Sequence, residues 1–101
     1  TWVATASAVV DVNAIPILVD IDPRTLCIDV EKARSAISQR TKAIIPVHLY
    51  GAMADMDCFA SLARDHELVL IEDCSHVHGA QWRGAAAGTL GDCGAYSMQQ
   101  T

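Results

Sequence analysis

The sequence predicts an α/β fold: a three-layer arrangement around a mostly parallel sheet. Two observations carry that expectation. Helical patterns and short apolar runs alternate in the order α-β-α-β-α-β, which calls for right-handed parallel crossovers. Leu68-Val69-Leu70-Ile71 then forms an unbroken aliphatic run, as expected of a strand covered on both faces. The chain has 101 residues, about one small domain. It shows no internal repeat, low-complexity stretch or domain boundary, so residues 1–101 are read as one unit.

The elements follow in chain order. Val3 to Val12 reads as a helix with Ala and Val on every side, which predicts burial. Ile15 to Val19 is a short β-rich run, turned afterwards by Asp20, Asp22 and Pro23. Asp29 stands where an N-cap belongs, ahead of Val30, Ala33 and Ile37 at helical spacing. Ala43 to Val47 is the next strand; Pro46 cannot donate to a ladder and belongs near its end. Asp55 caps a further helix whose Met56, Phe59, Ala60 and Ala63 share one face. Glu67 to Ile71 is the following strand. No glycine precedes Gly51, whereas Gly79, Gly84, Gly88, Gly91 and Gly94 crowd the last part of the chain. That change marks turns and a short hairpin, followed by a last strand over Ala95 to Gln99.

Composition limits the function classes. Hydrophobic residues make up 51% and charged residues 19%, a core-rich balance for a domain of this size. The chain opens at Thr1 and closes at Thr101 within an apparent site motif, and it reads as an internal piece of a longer enzyme. A net charge of −5 without a basic cluster argues against nucleic-acid or anionic-membrane partners. No apolar stretch approaches the roughly 20 residues that span a bilayer. Cys27, Cys58, Cys74 and Cys93 are dispersed, with no Cys-x-x-Cys pair, as in a reducing cytoplasm; no metal site is expected.

The aliphatic run ends in Glu72-Asp73-Cys74-Ser75-His76. In open α/β sheets ligands sit beyond the carboxyl ends of the strands, so Asp73 and His76 fall where a ligand would lie. A carboxylate there can hold a proton on a heteroaromatic ring nitrogen, or it can simply cap the next turn. Glu72 alternates to the opposite side and reads as structural. On the residues alone, a plain polar loop role is the lesser alternative for His76, whereas Trp2 reads more readily as a core residue than as a cofactor shelf. His48 and Tyr50, after the end of the Ala43–Val47 strand, fit a substrate pocket or loop packing.

Ile71–Ala80 (IEDCSHVHGA), Pro46–Asp57 (PVHLYGAMADMD), Gly88–Gln100 (GTLGDCGAYSMQQ), Thr1–Thr5 (TWVAT) and Pro16–Asp22 (PILVDID) together resemble the DegT/DnrJ/EryC1/StrS family. These are fold-type I sugar aminotransferases dependent on pyridoxal 5′-phosphate (PLP), and the resemblance covers essentially the whole chain. It implies that the segment belongs to the large PLP-binding domain of an obligate homodimer. By resemblance, Asp73 partners the pyridinium nitrogen and Trp2 stacks on the ring. His76 reaches the coenzyme's phenolic oxygen and Ser97 binds its phosphate. The Schiff-base lysine falls immediately after Thr101, so no catalytic residue lies within the chain, and neither Lys32 nor Lys42 matches. Ser75 stands where relatives usually carry Ala, which places an extra hydroxyl near the ring; His78 matches no family role.

The HGAQWRG and VHLYGAMADMD wording is most similar to the branch that aminates keto-cyclitols in aminoglycoside biosynthesis, with glutamine or glutamate as donor. A PLP-dependent sugar dehydratase or a 3-amino-5-hydroxybenzoate synthase shares these motifs. A noncatalytic α/β binding module is the reading from another class.

Overall fold

The computed structural model describes residues 2–99. Helix α1 (Ala4–Asp11) is followed by α2 (Val30–Ala36), strand β1 (Ala43–Ile44), α3 (Met56–Asp65) and β2 (Val69–Asp73). The two-residue strands β3 (Gln81–Trp82) and β4 (Ala85–Ala86) come next, then β5 (Cys93–Ala95). The sheet order is β1-β2-β5, with both pairings parallel. Strands β3 and β4 form a separate antiparallel hairpin. The α/β class and the parallel sheet are therefore as expected.

Both acidic caps form. Asp29 accepts from the backbone N–H of Lys32, and Asp55 from that of Cys58, each satisfying a free donor of the first turn. Helix α3 lays Met56, Phe59, Leu62 and Ala63 into the core, whereas Ala60 is only half-buried. These side chains pack with Ile44 and Leu70 of the sheet and Ala33 of α2.

Five expectations shift. Strand β1 is Ala43–Ile44 rather than Ala43–Val47, with Val47 joined to Asp73 only by an isolated bridge. Helix α1 forms, but none of its residues is buried. Its Thr5, Ala6 and Val9 line a groove. Ile15–Val19 pairs with no strand; it runs free with Ile15, Ile17 and Leu18 exposed, and only the bridge Ile21↔Ile28 closes the turn after it. An apolar β-rich run becomes a strand only beside a partner ladder. Strand β2 begins at Val69, because Glu67 sits at φ 54° in the turn that ends α3. Strand β5 is likewise Cys93–Ala95 rather than Ala95–Gln99. Among the described residues no helix is long and apolar enough to cross a membrane.

The central strand delivers Asp73 with its backbone held on both sides. Its N–H donates to Pro46 at 3.0 Å, its carbonyl accepts from His48 N–H at 3.0 Å, and the next N–H, Cys74, donates to Ala95 at 2.8 Å. Pro46 thus lies within the β1 edge of the sheet, contributing the carbonyl that proline retains.

Candidate functional site

Alternation along β2 sends Leu70, Glu72 and Cys74 to one face, all buried, and leaves Ile71, Asp73 and Ser75 half-buried on the other. The adjacent acids therefore have separate environments.

Glu72 is wholly buried and fully paired. Its Oε1 accepts from Leu90 N–H at 2.7 Å and Gly91 N–H at 2.8 Å. Oε2 accepts from Gly88 N–H at 2.9 Å and meets His48 Nε2 at 3.1 Å. Ala54 N–H donates to His48 Nδ1 at 3.1 Å, so Nε2 carries the hydrogen that reaches Glu72. Burial pushes the Glu72 carboxyl upward, but the donors of Gly88, Gly91, His48 and Leu90 outweigh it and hold the group below its ordinary range.

His48 is buried with both ring nitrogens engaged, which fits the loop-packing alternative of its two readings. His48, Glu72 and Cys74 bring ligand-type atoms within 4.8 Å of one another. The imidazole and carboxylate atoms of that group are already engaged by protein partners.

Asp73 is the ionised group on the open side. Thr5 Oγ donates to Oδ2 at 2.6 Å; Ser75 Oγ donates to Oδ1 at 2.6 Å and Ser75 N–H to the same oxygen at 3.1 Å. Burial raises its pKa, but the Ser75 and Thr5 donors and the nearby His76 more than reverse this, leaving the carboxyl below its ordinary value. A half-buried carboxylate kept anionic at a strand's carboxyl end has the character that a ring-nitrogen cation requires of its partner. The Ser75 hydroxyl turns to this carboxylate.

Of the remaining candidates, His76 is near enough to Asp73 to lower its pKa. His76 is exposed in the turn after β2, with Nδ1 3.5 Å from Tyr50 N. The Tyr50 and His76 rings lie 5.5 Å apart at 33°. Tyr50 itself stands out at 77% exposure on a two-residue turn, where it and Gly51 have φ of 51° and 83° and Leu49 and Ala52 exchange both backbone hydrogen bonds. Trp2 is 77% exposed just ahead of α1. Ser97 is half-buried past β5; its Oγ accepts from Gln99 N–H at 3.2 Å, while its carbonyl meets His78 Nε2 at 2.9 Å. His78, which also packs on Tyr96 with ring centroids 5.2 Å apart, therefore has a structural contact. Sequence reasoning missed Thr5, because a contact spanning 68 residues leaves no local signal. It also missed the depth of Glu72, although a polar residue in register with Leu70 and Cys74 was the available clue.

The parallel sheet, the helix packed across it and an anionic carboxylate at the central strand's end make up an α/β domain with a candidate ligand site at the strand's carboxyl end. The chain belongs to the DegT/DnrJ/EryC1/StrS aminotransferase family, whose model matches residues 1–101. It is 54% identical over all of its 101 residues to the L-glutamine:2-deoxy-scyllo-inosose aminotransferase of Streptoalloteichus tenebrarius, covering 24% of that protein. The structure of 3-amino-5-hydroxybenzoic acid synthase superposes at a TM-score of 0.93 with 38% identity, over 98% of this chain and 26% of that one. DesV of S. venezuelae, solved with a ketimine intermediate, gives 0.85 and 40% over 87% of this chain and 24% of that one. The chain thus spans about a quarter of the length of the relatives it matches.

Proposed function

We propose that this chain is part of the large, PLP-binding domain of a transaminase that aminates a keto-cyclitol with L-glutamine as donor, in aminoglycoside biosynthesis. The observation that carries the proposal is the Asp73 carboxylate, held anionic by three donors at the end of the central strand. The donor set suits the coenzyme: an anion for the pyridinium nitrogen, an imidazole at His76 for the phenolic oxygen, an indole at Trp2 for a ring face and a hydroxyl at Ser97 for the phosphate. When bound, PLP supplies the electron sink and carries the amino group between donor and acceptor. Tyr50, exposed beside His76, is the side chain of this segment best placed toward the acceptor.

The keto-cyclitol assignment leans on the 54% identical relative named for that reaction with glutamine. Among the described residues no guanidinium clamp is defined, which fits a polyhydroxylated acceptor. Arg83 pairs with Asp57 of α3 at 2.9 Å and lies 5.9 Å from the Trp82 ring. A carboxylate acceptor calls for a bidentate arginine. A second reading is 3-amino-5-hydroxybenzoate synthesis on the same fold, since the solved synthase of that name is among the superposing structures. The full enzyme is proposed to work as a homodimer in the cytoplasm, where the four free cysteines of this segment stay reduced. Assaying the full-length enzyme with glutamine against scyllo-inosose, a keto-sugar nucleotide and pyruvate decides the acceptor. Amination of scyllo-inosose is expected, and a wide preference for pyruvate would overturn the proposal.

A further inference from the structure

We infer that Thr5 and Ser75 are positioning residues that fix which oxygen of Asp73 meets the coenzyme's ring nitrogen, and that this oxygen is Oδ2. The inference rests on the proposed PLP reading of Asp73 and adds to it two side chains that meet the carboxylate rather than the ring.

An ionised carboxylate offers about four acceptor positions, two on each oxygen. Oδ1 takes two donors, the Ser75 hydroxyl at 2.6 Å and the Ser75 N–H at 3.1 Å, and is filled. Among the described residues Oδ2 takes only the Thr5 hydroxyl at 2.6 Å, which leaves its second lone pair as the acceptor position for a ring N–H. With the backbone of Asp73 already pinned by Pro46 and His48, the two hydroxyls grip opposite ends of the carboxylate and hold its plane. Thr5 does so from α1, a helix with no buried residue, and lies three residues after Trp2. The element proposed to present the ring shelf thus also sets the angle of the ring-nitrogen partner. Ser75 keeps its backbone N–H whatever its side chain, so loss of its hydroxyl leaves Oδ1 still held; among the described residues Thr5 is the only donor on Oδ2.

The test uses the full-length enzyme loaded with PLP labelled with ¹⁵N in the ring. Thr5→Val and Thr5→Ala are compared with Thr5→Ser, Ser75→Ala and Asp73→Asn, reading the ring ¹⁵N chemical shift, the coenzyme Kd, and kcat against KM. Both hydroxyl-deleting Thr5 variants are expected to move the ring resonance toward the unprotonated position. They should also weaken coenzyme binding severalfold and lower kcat about tenfold, with KM for both substrates changed less than about twofold. Thr5→Ser restores all three readouts, and Ser75→Ala gives a smaller change in the same direction. A wild-type resonance and kcat in Thr5→Val or Thr5→Ala would overturn the positioning role while leaving Asp73 as ring partner. An unmoved resonance in Asp73→Asn would instead overturn the reading of Asp73 itself.

Discussion

Two acids adjacent in the chain, Glu72 and Asp73, both ionise below the ordinary carboxylate range, yet for different ends. Glu72 is surrounded by backbone donors and His48, with no open side. Asp73 meets hydroxyls and keeps one face open, which makes it the group able to accept an incoming cation. In the full-length enzyme Asp73→Asn is expected to leave the fold intact and lower kcat about a hundredfold or more, since losing a charge-assisted contact of about 3 kcal/mol has that effect on rate. Steady-state assay of coenzyme-saturated mutant checks it; near-normal turnover would contradict the role. At this scale the sequence was a good guide wherever the signal was local. Asp73 at a strand end, Asp29 and Asp55 ahead of helices and the small residue Ser75 could all be read from their neighbours. His48 could not, because its burial depends on Glu72 lying across the sheet, 24 residues away.

At the scale of elements, the Glu72 carboxylate ties three strands to one turn. It sits on β2, holds the Gly88–Gly91 turn that leads into β5, and through His48 reaches the segment after β1. Glycine is required where that turn meets β5: a Cβ on Gly94 would lie 2.8 Å from the Gly88 carbonyl oxygen, against backbone that cannot give way. Gly94→Ala is therefore expected to destabilise the full-length enzyme by about 1–3 kcal/mol, measured by denaturant unfolding. Glu72→Gln, which replaces one acceptor oxygen by a donor facing backbone N–H groups or His48, should cost about 2–3 kcal/mol. The pH dependence has a defined sign. Because the folded pKa lies below the ordinary value of 4.5, Glu72 contributes its full stability above that value and loses it as pH falls through the lower folded one. The stability gap between wild type and Glu72→Gln should hold steady above about pH 5 and close below 4.5; a gap widening in acid would refute it. Helices α2 and α3 were legible because their caps and apolar stripes are periodic. The register of β2 and β5 was not, because two-residue shifts are set by the positive φ of Glu67 and by the Gly88–Gly94 approach.

For the molecule as a whole, apolar surface is distributed unevenly. Core packing gathers on α3 and the sheet, while Trp2, Val3, Ile15, Ile17 and Leu18 are exposed along a groove of about 810 Å³ between α1, the segment after it, α2 and β1. A hydrophobic run in the sequence announces burial but not the neighbour that provides it, which is why the helix and strand expected over residues 3–19 were legible as apolar yet wrong about cover. Contiguous exposed apolar surface of this kind is a liability in water. The 101-residue segment expressed alone should bind a hydrophobic dye such as ANS strongly and unfold at lower denaturant than the full-length enzyme, whereas the full-length enzyme should bind little dye. Equal dye binding by the two would show that the groove stays open in the complete protein. The same isolated segment should form no borohydride-reducible adduct with stoichiometric PLP. It contains two lysines. Lys32 is held by Asp20 at 3.1 Å, and Lys42 stands just ahead of β1, where its carbonyl accepts from Val69 at the start of β2. Four residues of β2 separate that end from Asp73, about 13 Å at strand rise, so Lys42 lies by the opposite end of the central strand from the proposed ring partner. Mass spectrometry after reduction checks it. Stoichiometric label on Lys32 or Lys42 would place the coenzyme elsewhere, and label on the residue following Thr101 in the full-length enzyme is the expected result.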